Sequence, residues 1–281
     1  MLVKKILITV RNLTLILLFL LSINGALGAS ARDAKVSIII DDIGYRLSDQ
    51  LAFELPHHIA FAILPHTEQS ERFSLRAHQQ GRTVMLHLPM ETLQPRNLGP
   101  GALMANMNVD TITQTLAHAL ESVPHAVGVN NHMGSKLTQL TFPMTTLMEA
   151  LSERELFFID SRTTRFTKAH KVALQTGVPV LERKVFLDHE LTESFISQQF
   201  ERLIQLSQKH GQAIGIAHPH PLTIKILNTL IEREDRIEFV AVTELFSKPK
   251  NKVYQYARIN KQSSAVESNV KPLVTELSSP K

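Results

Sequence analysis

The chain has 281 residues and a formal net charge of +4, and it contains no cysteine. Without cysteine there is no disulfide framework, thiolate metal site or thiol nucleophile, so any metal must be held by His, Asp or Glu. The positive charge is confined to the ends: residues 1–28 and 247–281 are basic, and the stretch between them is net acidic. An acidic body lacks the basic face that binding to a phosphate backbone requires, so no nucleic-acid partner is expected.

At the N-terminus Lys4, Lys5 and Arg11 lead into an apolar run at 13–21, and small residues follow in Ala26-Leu27-Gly28-Ala29-Ser30. This is the layout of a secretory signal peptide, and the run is shorter than the ~20 residues a spanning helix needs. Residues 1–28 are therefore expected to direct export and be removed, leaving a periplasmic or secreted protein; an uncleaved membrane anchor is the alternative. Residues 29–35 read as a short linker.

From there to residue 246 short β-rich apolar runs recur at 36–40, 59–63, 83–87, 126–129, 156–159, 213–217 and 239–242, with a weaker one within 178–187. Amphipathic helical spacing lies between most of them, at 70–80, 110–121, 192–210 and 221–234, and Pro143 marks a further helix start. Strand and helix alternating in this way predict an α/β domain with a parallel sheet. At this length a distorted (β/α) barrel of seven or eight strands is the simplest form, with a doubly wound open sheet as the runner-up. Residues 247–281 are rich in Lys, Asn, Gln and Ser, and read as a disordered basic tail.

Polar groups follow most strands: Asp41-Asp42, His66, His87 to Glu91, Asn130-Asn131-His132, Asp160-Ser161-Arg162, Asp188-His189 and His218-Pro219-His220. In a parallel barrel all strand C-termini open on one face, so carboxylates, imidazoles and amides converge at one mouth. A single strand-end Asp is commonly a helix cap, and Asp160 can serve as one. The adjacent pair Asp41-Asp42 is different, because neighbouring like charges are costly unless a cation or strong donors offset them. His57, His58, His78, His118, His125, His170 and His210 fall in helices or loops and read as solvated.

These segments carry a resemblance. From about residue 36 to 246 the chain resembles the divergent polysaccharide deacetylase family, through Ile39-Ile40-Asp41-Asp42-Ile43-Gly44, His87-Leu88-Pro89-Met90-Glu91, Asn130-Asn131-His132-Met133-Gly134-Ser135, Asp160-Ser161-Arg162-Thr163 and Gly215-Ile216-Ala217-His218-Pro219. The resemblance implies a distorted barrel and a divalent metal, usually zinc. It also implies attack by an activated water on the acetamido carbonyl of an amino sugar, in an envelope polysaccharide or peptidoglycan-type glycan. Carried over, Asp41 is the general base, His218 the general acid, and Asp42 and His87 are metal ligands. The superfamily's second metal histidine falls on Glu91 and its arginine is missing from 130–134. A third ligand must then come from His132 or Glu91; zinc accepts either nitrogen or carboxylate oxygen. His132 is the first choice, since it projects from its own strand end. Glu91, Asn130, Asn131, Asp160, Arg162 and Asp188 are expected to line the substrate site, with an ion pair from Arg162 to Asp160 or Asp188 as its structural alternative.

Three function classes remain. The leading one is a metal-dependent hydrolase removing N-acetyl groups from an envelope glycan. The second is a catalytically degenerate barrel that binds glycan or an envelope protein partner. The third is a metallohydrolase of an ester or phosphoester. No serine elbow and no glycine-rich phosphate loop is present, which sets aside serine-hydrolase and nucleotide chemistry.

Overall fold

The computed structural model describes residues 34–246; the expected signal segment and basic tail lie outside them. Nine strands occur in the order β1 (Lys35–Ile43), β2 (Ala60–Ile63), β3 (Val84–Met90), β4 (Gly128–Met133), β5 (Phe157–Asp160), β6 (Val180–Glu182), β7 (Val185–Phe186), β8 (Gln212–Ala217) and β9 (Glu238–Phe239). They form one parallel sheet ordered β6-β5-β4-β3-β2-β1-β8-β7, with β9 against the start of β1. Each expected run overlaps a strand, the last (239–242) only at Phe239 before the 3-10 turn Val242–Leu245, and the weak run at 178–187 supplies two. Lys35, expected in the linker, already pairs with Gln212.

The helices are α1 (Ser70–Gln79), α2 (Val109–Ser122), α3 (Thr141–Glu153), α4 (Ala169–Thr176), α5 (Glu193–His210) and α6 (Pro221–Arg233). Local chemistry sets their ends. Asn108 Oδ1 accepts from Thr111 N at the start of α2, and Thr192 Oγ1 from Phe195 N at the start of α5. Helix α3 begins two residues before Pro143, because the first-turn N–H groups have no intrahelical partner and a proline there removes none. The short α4 was not expected from the sequence; it stops at Gly177, whose φ of +77° is open to glycine at little cost.

Two apolar layers show how the sheet is covered. The larger joins one sheet face (Val36, Ile38, Ile40, Phe61, Val84, Val129, Phe158) to the helices through Phe73, Leu116, Leu147, Leu203 and Leu227. The smaller holds Ile39, Ala60, Ala62, Met85, Phe157, Ile159, Ile214, Ile216, Val240, Val242 and Leu245, with no helix residue of α1–α6 among them. The sheet therefore curls on itself as a half-barrel with helices only outside, and the doubly wound alternative, which needs helices on both faces, does not apply. Strand period two then decides which side chains enter the barrel.

Candidate metal centre

The inner-face positions continue from the core to the mouth: Ile39 to Asp41, Met85 to His87, Gly128 to Asn130 and His132, Ile159 to Ser161, and Ile216 to His218. Strand β4 runs to Met133 rather than stopping at Val129, so Asn130, Asn131 and His132 belong to the strand itself. They pair with His87, Leu88 and Pro89 of β3. That extension makes His87 and His132 neighbours.

Asp42 would face outward by alternation, but β1 carries a bulge. Ile40 pairs with Phe61 and Ile43 with Ile63, three residues against two. Asp42 takes a left-handed φ of +59°, which Asp tolerates better than most residues. Beyond it Ile43 returns to the outer layer, and both carboxylates are delivered to the mouth.

There Asp42 Oδ1 lies 3.1 Å from His87 Nε2 and 2.8 Å from His132 Nδ1, and the two imidazole nitrogens are 3.1 Å apart. Among the described residues these three are the one group able to offer three converging metal-ligating atoms. The fit to a cation rests on several features. The sides of the triangle approach the ~3.3 Å edge of a tetrahedron with bonds of about 2.0–2.1 Å. Two imidazoles and one carboxylate suit zinc. Asp42 Oδ1 is also buried with no aligned hydrogen-bond partner, which is costly for a carboxylate unless a cation meets it.

A second layer holds this geometry. Asn130 Nδ2 donates to Asp41 Oδ1 (2.8 Å), which leaves Asn130 Oδ1 to accept from His87 Nδ1 (2.7 Å). His87 is thereby fixed with its Nε2 toward Asp42, the orientation that metal-ligating histidines show. Burial pushes the Asp41 carboxyl above its usual pKa, against the pull of His87 and His218. Burial acts the same way on Asp42, but the His132 and His87 imidazoles hold it well below the ordinary range. Across the mouth His218 Nδ1 faces Asp188 Oδ1 at 3.0 Å, and its Nε2 lies 3.8 Å from Asp42 Oδ2. Burial lowers the His218 pKa, yet Asp188 outweighs it and raises the value to about 9.

The cavity at the mouth is about 370 Å³, lined by Asp41, Asp42, His87, Asn131, His132, Ser161, Arg162, Arg183, Phe186 and His218 among others. Of the residues expected to line it, Asn130 lies behind Asp41 and His87, and three others face elsewhere. Glu91 is taken up by the Lys136 ammonium and the Ala105 N–H (2.6 Å) on the loop after β3, so it reaches neither the Asp42–His87–His132 triangle nor the cavity. Asp160 has outward parity and accepts from Arg162 N and Thr167 Oγ1, both at 2.9 Å. Asp188 lies behind His218, its Oδ2 accepting from His218 N (2.8 Å) and Thr223 Oγ1 (3.1 Å). Asn131 borders the cavity, but its amide braces Ser161 N (2.9 Å) and Met133 O (2.8 Å). Arg162 pairs with Glu182 (3.0 Å), not with Asp160 or Asp188. His58 is not solvated: it stacks on Phe239, and its buried Nε2 has no partner. Arg183 and Phe186 were missed, because each lies inside the weak run that gave no clear strand boundary.

Comparison with known proteins agrees with this architecture. The chain is 38% identical over 226 residues to the uncharacterized protein YibQ of Escherichia coli K12, covering 80% of this chain and 71% of the relative. It is 36% identical over 223 residues to an uncharacterized protein of Haemophilus influenzae Rd, covering 79% and 80%. The crystal structure of the uncharacterized protein ATU2773 of Agrobacterium tumefaciens C58 superposes with a TM-score of 0.72 at 24% identity, over 78% of this chain and 90% of that one. That structure shares the fold. A sequence profile for the divergent polysaccharide deacetylases matches residues 38–246, and the chain belongs to that family.

Proposed function

We propose that this protein is an exported metal-dependent amide hydrolase that removes N-acetyl groups from an envelope glycan. The observation that carries the reading is the meeting of Asp42 Oδ1, His87 Nε2 and His132 Nδ1 in a triangle of 2.8–3.1 Å sides, between buried Asp41 and His218. A divalent cation held by those atoms, zinc by preference, supplies Lewis acidity and lowers the pKa of water to ~7.

The remaining work falls to the protein. Asp41 stands beside the triad with its proton affinity raised by burial, which brings it closer to that of an effective base at neutral pH. Asn130 holds Asp41 and His87 in one network. His218, kept protonated at neutral pH by Asp188, points its Nε2 into the cavity and donates to the leaving amine. The triad supports metal chemistry over the purely binding reading that the missing second histidine suggested. Export rests on the N-terminal signal pattern.

The test is metal content. Protein purified with zinc present is expected to hold one equivalent, and His87→Ala or His132→Ala to lose it, while Glu91→Ala keeps it. Wild-type protein should also release free amine from N-acetylated oligosaccharides in a metal-dependent manner. If His132→Ala retains zinc and Glu91→Ala does not, the ligand assignment is wrong. Wild-type protein without metal would hand the lead to glycan binding without catalysis.

A further inference from the structure

Strands β6 and β7 are consecutive but not paired, and the chain crosses the open seam of the sheet at Arg183-Lys184. Arg183 N donates to Asp160 O on one edge (3.0 Å), and Lys184 N to Ile214 O on the other (2.9 Å). The crossing places the Arg183 side chain in the same cavity as Asp41, Asp42 and His218.

The guanidinium is held firmly by groups that do not neutralise it. Nε donates to Ser161 O (2.7 Å) and Nη2 to Arg162 O (3.0 Å), both uncharged carbonyls. Its carbon lies 5.2 Å from the centroid of the Phe186 ring, whose edge-on partner is His218 at 5.1 Å. Among the described residues no carboxylate lies within 4.0 Å of it and Nη1 has no hydrogen-bond partner. Asp41 and Asp160 act on it only at longer range. The neighbouring Arg162, by contrast, is ion-paired with Glu182. A partly buried cation without a counter-ion is costly, and rigid placement of its free edge in a substrate cavity gives that cost a use.

We propose that Arg183 determines specificity by taking a carboxylate of the substrate on Nη1, so that the protein prefers an N-acylated sugar bearing a carboxylate over a neutral amino sugar. This rests on the hydrolase reading for the identity of the reacting group, but not for the binding itself. A carboxylate suits the site better than a phosphate, because Asp41 and Asp42 share the cavity and repel a second negative charge.

The test compares ligands on the full chain with metal removed by chelation, so that binding is read without turnover. The probes are a glycan strand of alternating N-acetylglucosamine and N-acetylmuramic acid, the same strand with its carboxylates converted to amides, and a chitooligosaccharide of equal length. Calorimetry is expected to show the acid strand binding wild-type protein at least ~10-fold more tightly than the amide strand, the scale of one charge-assisted hydrogen bond. R183Q should erase that ratio. Equal affinity for acid and amide on wild-type protein overturns the proposal without needing a variant, as does a ratio that survives R183Q. Tighter binding of a phosphorylated chitooligosaccharide overturns the choice of carboxylate. Acid preference in a protein that takes up no zinc leaves this inference standing and removes the hydrolase reading. Turnover of the neutral chitooligosaccharide without acid preference does the reverse.

Discussion

Asp188 commits both of its oxygens to holding His218, one on the imidazole Nδ1 and one on the His218 backbone N–H. The carboxylate raises the His218 pKa to about 9, so the imidazole is protonated at neutral pH and able to donate. A raised pKa means the acid form persists below that value and is lost as pH rises through it; a cation bound at the nearby triad, as proposed above, would draw the limit lower. The expected rate profile is flat near neutrality with an alkaline limb at or below pH 9. Asp188→Asn should move that limb toward ~6.5, the ordinary histidine value, and reduce turnover at pH 8 by at most roughly 30-fold, the fall in the protonated fraction. Thr223→Val, which keeps the carboxylate, should move the limb little. An unchanged limb in Asp188→Asn would remove His218 from the role of acid. On the acid side, metal occupancy should fall as His87 takes up a proton, since Asp41 and Asp42 raise its pKa against the effect of burial. Of these groups, Asp41, Asp42, His87, His132 and His218 were legible in the sequence as strand-end residues. What was not legible is that Asp188 serves His218 rather than substrate, since their contact spans 30 positions.

At the scale of elements, β3 shows how one strand serves two neighbours. Beyond Leu86 the short β2 no longer pairs with it, and on the vacated flank Pro89 O accepts from Leu103 N and Glu91 N donates to Leu103 O. Proline lacks an N–H, and this bridge asks only its carbonyl, so Pro89 is tolerated inside the strand. The other flank stays paired with β4 through Met90, which keeps His87 level with Asn130. At the opposite end of the barrel Arg82, buried before β3, closes the segment after the 3-10 turn Leu47–Glu54. Its guanidinium donates to Phe53 O, Leu55 O, Pro56 O and Gln80 Oε1 at 2.6–3.0 Å, and stands 4.9 Å from the Phe61 ring centroid. Arg82→Met fills the space and leaves three carbonyls without donors. It is expected to cost about 3 kcal/mol in urea denaturation, an unsatisfied buried acceptor being worth roughly 1–3 kcal/mol. A loss under about 1 kcal/mol would show that water replaces the guanidinium. Nothing in the local sequence around Arg82 announces this, because two of its acceptors lie 27 and 29 residues away.

For the whole molecule, the described core closes at its C-terminal end with Leu245 buried in the barrel and Phe246 packed 4.9 Å from Phe157. The following stretch, 247–281, lies outside the described residues, and its polar composition is the ground for expecting no part in that core. Deleting it is expected to shift the thermal midpoint by less than about 2 °C, where 1 kcal/mol corresponds to roughly 2–4 °C for a domain of this size. A drop of about 6 °C or more would show that the tail contributes to the fold.

The sequence by itself determined the alternation of strands and helices, hence a parallel sheet with a common C-terminal face, and the polar residue types that gather there. Those features are local, carried by apolar runs, caps and the adjacency of Asp41 to Asp42. The tertiary structure decided which of those residues look inward. In a parallel sheet covered on both faces the strands are apolar throughout, so period two leaves no visible trace in the residue types. Parity excluded Asp160, and it admitted Asp41, His87, His132 and His218. A single bulge in β1 reversed parity at Asp42 and completed the triad. The crossing between β6 and β7 placed Arg183 in the cavity, because only the curl of the whole sheet brings its two edges to either side of that residue.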